Sequence, residues 1–300
     1  MPKIKIDPAL HQERKPEWIK VRLPRNPVFF STKALVSDLN LHTVCESAQC
    51  PNRWECWSQG TATFMIAGER CTRACGFCAV STLKPKPLEL DEPQRVAEAV
   101  MRLNLKHVVI TAVARDDLKD GGAQHFADTI KAVRDRDPKI IVEVLTPDFQ
   151  ERMEDVAKVV NAKPDIFNHN METVERLTPL VRHRARYRRS LEVLRLAKQL
   201  DPKIVTKSGV MLGLGELEPE IFQTMDDLRE VDCNVLTMGQ YLRPSAEHLP
   251  VVEYVEPARF DLYGEIARQK GFTFVASGPL VRSSYHAADF NPVESAREDS

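Results

Sequence analysis

The sequence predicts an α/β fold built around a parallel sheet, closed into a barrel or open on one side. Two observations predict it: short apolar runs of strand length alternate with segments of helical periodicity, and one helical segment separates each run from the next. Strands connected through single helices pair in parallel by right-handed crossovers. The 300 residues are enough to bury a substantial core in one large domain or two small ones.

Seven apolar runs are predicted to be strands, with the helical segments between them. The runs cover residues 61–68, 107–114, 139–145, 165–170, 203–212, 234–239 and 272–277. The first helical segment begins near Pro93 and continues with apolar Val96, Ala99, Val100 and Leu103 at helical spacing. The others cover residues 122–135, 151–161, 188–200, 219–231 and 257–270. In parallel barrels the loops after the strands carry the catalytic groups, so we expect chemistry at that face.

The chain is predicted to have three parts. Residues 1–60 are rich in proline and basic residues and are expected to wrap the barrel as an extension. Residues 61–280 contain the alternating strands and helices and form the barrel, and residues 281–300 begin with a serine motif and continue as a polar tail. The sequence contains no low-complexity tract and no repeat other than the alternation of strand and helix.

Composition and charge exclude several classes of function. The 42 basic and 43 acidic residues give a formal charge of −1, so nothing global favours a nucleic acid or an anionic membrane as partner. No apolar run approaches the ~20 residues of a membrane helix. Asp7, Glu13 and Glu17 lie in an N-terminal stretch that lacks the apolar core of a secretory signal. We therefore expect a soluble protein in a reducing compartment, and the absence of an Arg-rich, acid-poor leader favours the cytoplasm over a mitochondrial matrix.

Six of the seven cysteines form two triplets, Cys45, Cys50 and Cys56 followed by Cys71, Cys75 and Cys78. In a reducing compartment, closely spaced cysteines bind metal more often than they form disulfides. Each triplet is one ligand short of the closed four-thiolate site that holds a structural zinc. An open position on a soft metal centre allows chemistry instead. The seventh, Cys233, lies in EVDCNVLTMG, a segment with the pattern of a buried strand, and is expected to be a small core residue.

The second triplet and its surroundings resemble the radical S-adenosylmethionine superfamily. The spacing CxxxCxxC, with Phe77 before the last cysteine and a strand before the first, carries the resemblance. It implies a partial (β/α)6-type barrel in which Cys71, Cys75 and Cys78 hold three irons of a [4Fe–4S] cluster, while the fourth iron binds S-adenosylmethionine. A short loop with this spacing can wrap one cluster and leave one corner open.

The same resemblance implies contacts to S-adenosylmethionine. The segment GVMLGLGE, with Gly213 and Glu216, resembles the fifth-strand pattern that packs beside the adenine, where glycine lets a backbone approach a flat ring closely. Thr111 ends the second strand, where the superfamily binds the methionine amino group. Asn170 and Arg243 follow strands at the same rim, where an amide or a guanidinium can bind the ribose or the carboxylate.

Further motifs narrow the resemblance to the lipoyl synthase family. CxxxxCxxxxxC directly ahead of the second triplet is similar to that family's auxiliary [4Fe–4S] site, and GPLVRSSYHA is similar to the serine motif that supplies its fourth ligand. VARDDLKDGG, LTPDF, HNMETV, YRRSL, MLGLGE and QYLRPS follow in family order, so the resemblance covers residues 40–286. It implies that the auxiliary cluster is held by Cys45, Cys50, Cys56 and Ser284, with Ser283 as the alternative serine.

This resemblance implies a radical sulfurtransferase. Two molecules of S-adenosylmethionine would support insertion of sulfur at C6 and C8 of an octanoyl chain, and the auxiliary cluster would be sacrificed as the sulfide source. Oxygen binds iron less firmly than thiolate does, so a serine ligand suits a cluster that loses material. Two alternatives remain open: another sulfur-inserting member of the superfamily, such as a biotin synthase or a methylthiotransferase, and a non-catalytic zinc or iron–sulfur scaffold.

The resemblance also implies protein partners. The octanoyl chain would be attached to a lysine of a lipoyl carrier domain, in the E2 subunits of 2-oxoacid dehydrogenases or in the glycine cleavage H protein. A flavodoxin or ferredoxin would supply electrons, and cluster-assembly proteins would rebuild the consumed cluster. Carrier domains are commonly acidic, and a basic run contains Arg182, Arg184, Arg186, Arg188 and Arg189. The run is either a docking surface for the carrier or an ordinary solvated face.

Overall fold

Seven parallel strands form one sheet in which the order across the sheet equals the order along the chain. The structure is a computed structural model that describes residues 15–20, 27–59 and 62–284, and the strand count refers to these residues. The strands are β1 (Thr63–Ile66), β2 (His107–Ala112), β3 (Ile141–Leu145), β4 (Ile166–Asn168), β5 (Val205–Leu212), β6 (Val235–Gln240) and β7 (Phe274–Ser277). Each coincides with a predicted run, and β6 extends to Gln240. The predicted parallel α/β class is confirmed, and the linear strand order leaves the barrel open between β1 and β7.

The helices lie where the sequence predicts them, with further short helices in the extension and the loops. They are α1 (Pro27–Asp38), α2 (Val44–Ser47), α3 (Arg53–Ser58), α4 (Glu92–Arg102), α5 (Ala123–Arg136), α6 (Met153–Asn161), α7 (Thr178–Val181), α8 (Tyr187–Leu200), α9 (Glu218–Glu230) and α10 (Pro257–Gln269), with 3-10 turns at Glu17–Ile19, Phe149–Glu151 and Glu175–Leu177. In α4, Pro93 lies in the first turn, where a missing N–H costs no helical hydrogen bond. Val96, Ala99 and Val100 form its fully buried face.

The strands separate an apolar core from a central cavity. Successive residues of a strand face opposite sides, so in β1 Phe64 and Ile66 join the hydrophobic core while Met65 lines the cavity. Burying each such core side chain contributes about 1.5–3 kcal/mol. The register places Met65 beside Thr111, and Thr111 beside Leu145. Side chains from neighbouring strands therefore reach the cavity at one level.

A buried polar layer fills the barrel interior. The Glu143 carboxylate, which is fully buried, lies 2.9 Å from Lys207 Nζ and accepts a hydrogen bond from Asn168 Nδ2 at 3.0 Å. Burial alone would raise the pKa of Glu143, but Lys207 and His107 lower it to about 2. Removing one partner from such a pair leaves an uncompensated charge in a low-dielectric interior. The layer therefore links β3, β4 and β5 through interactions that solvent cannot replace.

The N-terminal extension covers the free edge of β1. Thr43 forms an antiparallel bridge with Phe64, and the backbone N–H of Met65 donates to the carbonyl of His42 at 2.9 Å. Such cover protects an edge strand from pairing with other chains. The extension has its own aromatic packing, in which the ring of Phe29 stacks on Trp54 with centroids 4.2 Å apart.

The predicted three-part division stays a prediction, because much of both terminal parts lies outside the described residues. Residues 1–14, 21–26 and 60–61 fall in or beside the extension, and residues 285–300 fall in the tail. Among the helices of the described segments, none combines the length and apolarity that crossing a membrane requires.

Candidate active site

A cavity of about 540 Å³ lies at the carboxyl ends of the strands. It is within the usual size range of small-molecule sites. Its lining includes Cys45, Cys50, Cys71, Cys75, Cys78, Ser283 and Ser284. Cys56 lies on α3 and packs against the hydrophobic core instead. The structure therefore brings five of the six triplet cysteines and both serines to one cavity, although the cysteines and the serines lie far apart along the chain.

The loop of residues 71–78 is held on several sides by backbone hydrogen bonds. The N–H of Thr72 donates to the carbonyl of Ala114 at 3.0 Å, and the N–H of Gly76 donates to the carbonyl of Val181 at 2.9 Å. The carbonyl of Gly76 accepts from the N–H of Leu249 at 2.9 Å. A Cβ at Gly76 would lie 2.9 Å from the Leu249 side chain, so glycine permits the close approach. These contacts fix the loop to the loops that follow β2, β4 and β6.

Arg73, between the first two cysteines of this loop, clamps it to two acidic side chains. Its Nε and Nη2 donate to the Asp116 carboxylate at 2.9 and 2.8 Å, and its Nη1 and Nη2 donate to Asp148 at 2.9 and 2.6 Å. The guanidinium is buried and forms a forked pair with each carboxylate. Burial alone would raise the pKa of Asp148, but Arg73 lowers it below its usual range. The sequence did not reveal this clamp, because its partners lie on distant loops.

Two of the cavity thiols, those of Cys45 and Cys78, stay protonated until a metal binds. Burial raises the pKa of Cys45 to about 11 and that of Cys78 to about 12. A soft metal releases such protons when it binds the thiolates. Among the described residues, no three His, Cys, Asp or Glu side chains are close enough to hold a single metal ion. Three thiolates can each bind a separate iron of a cubic cluster, so the donor set fits an iron–sulfur cluster.

Three of the predicted cofactor contacts line the cavity. They are Thr111, Asn170 and Arg243. The Thr111 hydroxyl donates to the Leu145 carbonyl at 3.0 Å. Arg243 Nε donates to the His248 carbonyl at 2.9 Å, which fixes the guanidinium at the cavity wall. The Asn170 Oδ1 atom is buried and has no hydrogen-bond partner among the described residues, so a ligand could supply one.

The other two predicted contacts, Gly213 and Glu216, build the turn after β5 and are not among the lining residues. The Glu216 carboxylate accepts from the N–H groups of Gly213 at 2.9 Å and Leu214 at 3.0 Å. Gly213 has φ +100°, and a Cβ there would lie 2.4 Å from the Glu253 carbonyl. The turn itself therefore requires both residues, without any contact to a ligand. Their role as cofactor contacts stays a prediction.

Charged residues that the sequence did not place at the site also face the cavity. Arg182 is buried and donates to the Ser190 hydroxyl at 2.7 Å. Arg282 lies beside Cys50, and burial lowers its pKa although the Cys50 thiol opposes the shift. Glu172 has φ +65° and accepts from Asn170 Nδ2 at 3.1 Å. Burial raises the pKa of Glu172. The buried guanidinium of Arg182 and the half-buried guanidinium of Arg282 give the cavity a preference for anionic ligands.

The basic run does not form one continuous surface patch. Arg182 lines the cavity, Arg189 is mostly buried with its Nη1 3.6 Å from Asp148, and Arg188 pairs with Glu175 at 2.7 Å. Arg184 and Arg186 are exposed. The prediction of a five-arginine docking surface therefore reduces to these two side chains, because helical and turn geometry directs the others inward or to acidic neighbours.

The parallel sheet with a thiol-lined cavity at its carboxyl edge fits the radical S-adenosylmethionine class. Residues 65–228 match the model of the radical SAM superfamily. Among solved structures, SuiB of Streptococcus suis bound to S-adenosylmethionine superposes with a TM-score of 0.57 at 11% identity, covering 81% of this chain and 58% of that one. The [FeFe]-hydrogenase maturase HydG of Carboxydothermus hydrogenoformans gives 0.53 at 11% identity, with 89% and 78% covered. These two similarities establish the fold alone.

Sequence relatives define the family more narrowly. Residues 4–50 match the model of the N-terminal domain of lipoyl synthase of the radical SAM family. The lipoyl synthase of Rubrobacter xylanophilus is 56% identical over 91% of this chain and 85% of its own length. That of Bacillus cereus strain ATCC 14579 is 55% identical over 95% and 96%. The chain belongs to the lipoyl synthase family, so it is a sulfur-inserting radical enzyme that uses S-adenosylmethionine and [4Fe–4S] clusters, including an auxiliary one.

Proposed function

We propose that the two triplets divide the chemistry between two clusters facing one cavity. In this assignment Cys71, Cys75 and Cys78 hold the cluster that binds S-adenosylmethionine, and Cys45, Cys50, Cys56 and Ser284 hold the auxiliary cluster. When bound, these groups supply one-electron chemistry that activates an unreactive C–H bond, together with sulfide for insertion at C6 and C8 of an octanoyl chain. The observation that carries the proposal is the shared cavity, whose wall contains five triplet cysteines and both serines.

The cavity wall supports an octanoyl chain as the substrate. Its apolar members include Met65, Phe77, Leu145, Val210 and Met211. These side chains can hold an alkyl chain by contact alone and exclude water, which leaves the reacting carbons close to both thiol sets. The protein would position the substrate and exclude water, because no acid or base is needed to activate an alkyl carbon in radical chemistry.

Ser284 is proposed as the fourth auxiliary ligand over Ser283. The Ser283 hydroxyl lies 3.4 Å from Asn170 Nδ2, so it accepts from a barrel residue in the cavity wall. Thr111, Asn170 and Arg243 are proposed to contact S-adenosylmethionine, with the free Asn170 Oδ1 accepting from the cofactor and Arg243 pairing with its carboxylate. Gly213 and Glu216 would act there only indirectly, through the turn after β5.

The octanoyl chain would be presented by a lipoyl carrier domain, as in E2 subunits or the glycine cleavage H protein. Ala185 lines the cavity, and its neighbours Arg184 and Arg186 are exposed. The two guanidinium groups therefore flank the cavity wall where a carrier lysine could enter, and an acidic carrier surface could dock on them. A flavodoxin or ferredoxin as electron donor and cluster-assembly proteins complete the proposed partners. A cytoplasmic location is proposed because two thiol-bound clusters need a reducing compartment.

Paired cysteine variants test the assignment. After anaerobic reconstitution, S-adenosylmethionine, a reductant and an octanoyl-lysyl peptide are added, and 5′-deoxyadenosine and sulfur-containing peptide are quantified. Cys75→Ala should abolish both products, whereas Cys45→Ala should still form 5′-deoxyadenosine but insert no sulfur. Cys233→Ala removes the remaining cysteine and should retain both activities. Sulfur insertion by the Cys45→Ala variant would overturn the division of roles.

A further inference from the structure

The chain segment that carries the two serines is attached to the first triplet by one buried side chain. Asn52 lies between Cys50 and Cys56 and is 1% exposed. Its Nδ2 donates to the carbonyl of Leu280 at 2.7 Å, across 228 positions of the chain. A buried amide that bonds a backbone carbonyl fixes both direction and distance, because either group would otherwise be left without a partner.

The backbone of Asn52 also contacts the two cysteines that flank it. Its carbonyl accepts the N–H of Cys56 at 3.0 Å, and its backbone forms a hydrogen bond with the Cys50 thiol. One residue thus connects two triplet cysteines and the serine segment. Any shift of Leu280 relative to the triplet would break the Nδ2 bond or move the backbone that positions the thiols.

The serine segment is located on its other side by a glycine of the barrel. Gly239 lies in β6, and a Cβ there would be 2.0 Å from the Val281 carbonyl oxygen. No real side chain tolerates that distance, so the Val281 backbone can cross β6 only over glycine. The N–H of Gly278 donates to the Met238 carbonyl at 3.1 Å and that of Gln240 donates to the Pro279 carbonyl at 3.3 Å, which anchors the residues before the crossing.

We propose that Asn52 and Gly239 are positioning residues that place Ser284 at the auxiliary centre. The inference rests on the proposed assignment of that centre and deepens it. Asn52 fixes the serine segment to the triplet, and Gly239 gives the clearance that lets the segment reach the cavity. Ser284 follows Val281 by three residues, so a displacement of the Val281 backbone moves the hydroxyl away from the thiols of Cys45 and Cys50.

Two variants test the two contacts separately. Gly239→Ala forces the Val281 carbonyl away from β6, and Asn52→Asp keeps the shape of the side chain but faces the Leu280 carbonyl with oxygen in place of the N–H donor. Gly278→Ala is the matched control, because its Cβ would lie 3.4 Å from the Val281 side chain, which is ordinary contact. The Asp variant adds no volume and so covers the case in which Gly239→Ala fails to fold.

The readout is the Mössbauer spectrum of the reconstituted protein together with iron release to a chelator. In both variants the iron with an oxygen ligand should lose its distinct signal, and auxiliary-cluster iron should be released about tenfold faster, as is typical when a supporting partner of a ligand is lost. The cluster held by Cys71, Cys75 and Cys78 should keep its electron paramagnetic resonance signal, which shows that the barrel is folded. Gly278→Ala should match the unmodified chain in all three measurements.

Ser284→Ala distinguishes the assignment of Ser284 as a ligand from the positioning roles of Asn52 and Gly239. A Mössbauer change in Ser284→Ala without one in Gly239→Ala or Asn52→Asp would overturn the positioning roles and leave the ligand assignment intact. An unchanged spectrum in Ser284→Ala would overturn the assignment of Ser284 itself. A changed spectrum in all three variants, with an unchanged control, is the expected result.

Discussion

The two cysteine triplets are supported in different ways. The loop of residues 71–78 bonds to Ala114, Val181 and Leu249 on three separate strand-end loops and is clamped by Arg73. The segment of residues 45–56 lies at the edge of β1 and is joined to the serine segment through Asn52. The centre formed by the 71–78 loop is therefore built into the barrel. The centre formed by residues 45–56 lies instead at a seam between the extension and the C-terminal segment. A seam can open locally without unfolding the barrel, which suits the rebuilding proposed for the auxiliary centre.

The largest expected effect comes from removing the barrel's internal support. Lys207→Met leaves the Glu143 carboxylate buried without its ion pair, so we expect the free energy of unfolding to fall by about 3–5 kcal/mol. Urea denaturation followed by circular dichroism measures it. Hydrogen exchange at the amides of Thr72 and Gly76 should accelerate, while that at Cys50 should change little. The exposed Lys203→Met is the control, and equal acceleration at all three amides would contradict the distinction between barrel and seam.

Acidification gives a second test of the same support. The pKa of Glu143 is lowered from 4.5 to about 2, so its ion pair contributes fully above pH ~4.5, and on the order of 3 kcal/mol is lost as the pH falls towards 2. In Lys207→Met the carboxyl loses the largest interaction that opposes burial and keeps only the weaker ones with His107, so its pKa rises and protonation stabilises that variant relative to wild type. The stability difference between wild type and variant should therefore narrow between pH 7 and pH 4. Urea denaturation across this range would refute the account if the difference stayed constant.

Arg73 provides a smaller effect confined to the barrel centre. Arg73→Gln leaves the Asp148 carboxylate buried without its forked partner, and the 71–78 loop loses its side-chain bonds to Asp116 and Asp148. We expect iron at this centre to be bound about 10–100-fold less tightly, with the auxiliary centre unaffected. Chelator challenge monitored by electron paramagnetic resonance compares the two centres in one sample. Arg70→Gln, which alters a partly exposed arginine just outside the triplet, should behave as the wild type; loss of both clusters in Arg73→Gln would show that the centres are not independent.

The smallest expected effect concerns docking of the carrier. Reversal of both exposed charges, Arg184→Glu with Arg186→Glu, should raise KM for an octanoylated carrier domain about 3- to 10-fold, because rim charges contribute little individually. KM for a short octanoyl-lysyl peptide should not change. Arg136→Glu is the control at an exposed position on α5. An equal rise for carrier and peptide would indicate damage to the cavity rather than to a docking surface.

The sequence predicted the elements whose signals are local. The seven strands follow apolar runs, and cysteine spacing identified both triplets before any fold was known. Arg73, Asn52 and Gly239 escaped prediction because their roles depend on partners that only the fold brings near, such as Leu280 for Asn52. The two interpretations of the arginine run could not be separated for the same reason: charge density along a chain does not say which guanidinium groups turn inward, and Arg182 and Arg189 do so.

The bond between Asn52 and Leu280 also has a consequence in time. A ribosome releases the N-terminal part first and adds ~5–20 residues per second, so the 228 positions between the two partners correspond to roughly 10–50 s of synthesis. During that interval the first triplet has emerged, but the segment that closes its side of the cavity does not yet exist. The barrel strands appear in between. Completion of the proposed auxiliary centre is therefore a late event in the life of the chain, and the proposed cluster-assembly proteins would act on a chain whose barrel strands have all been synthesised.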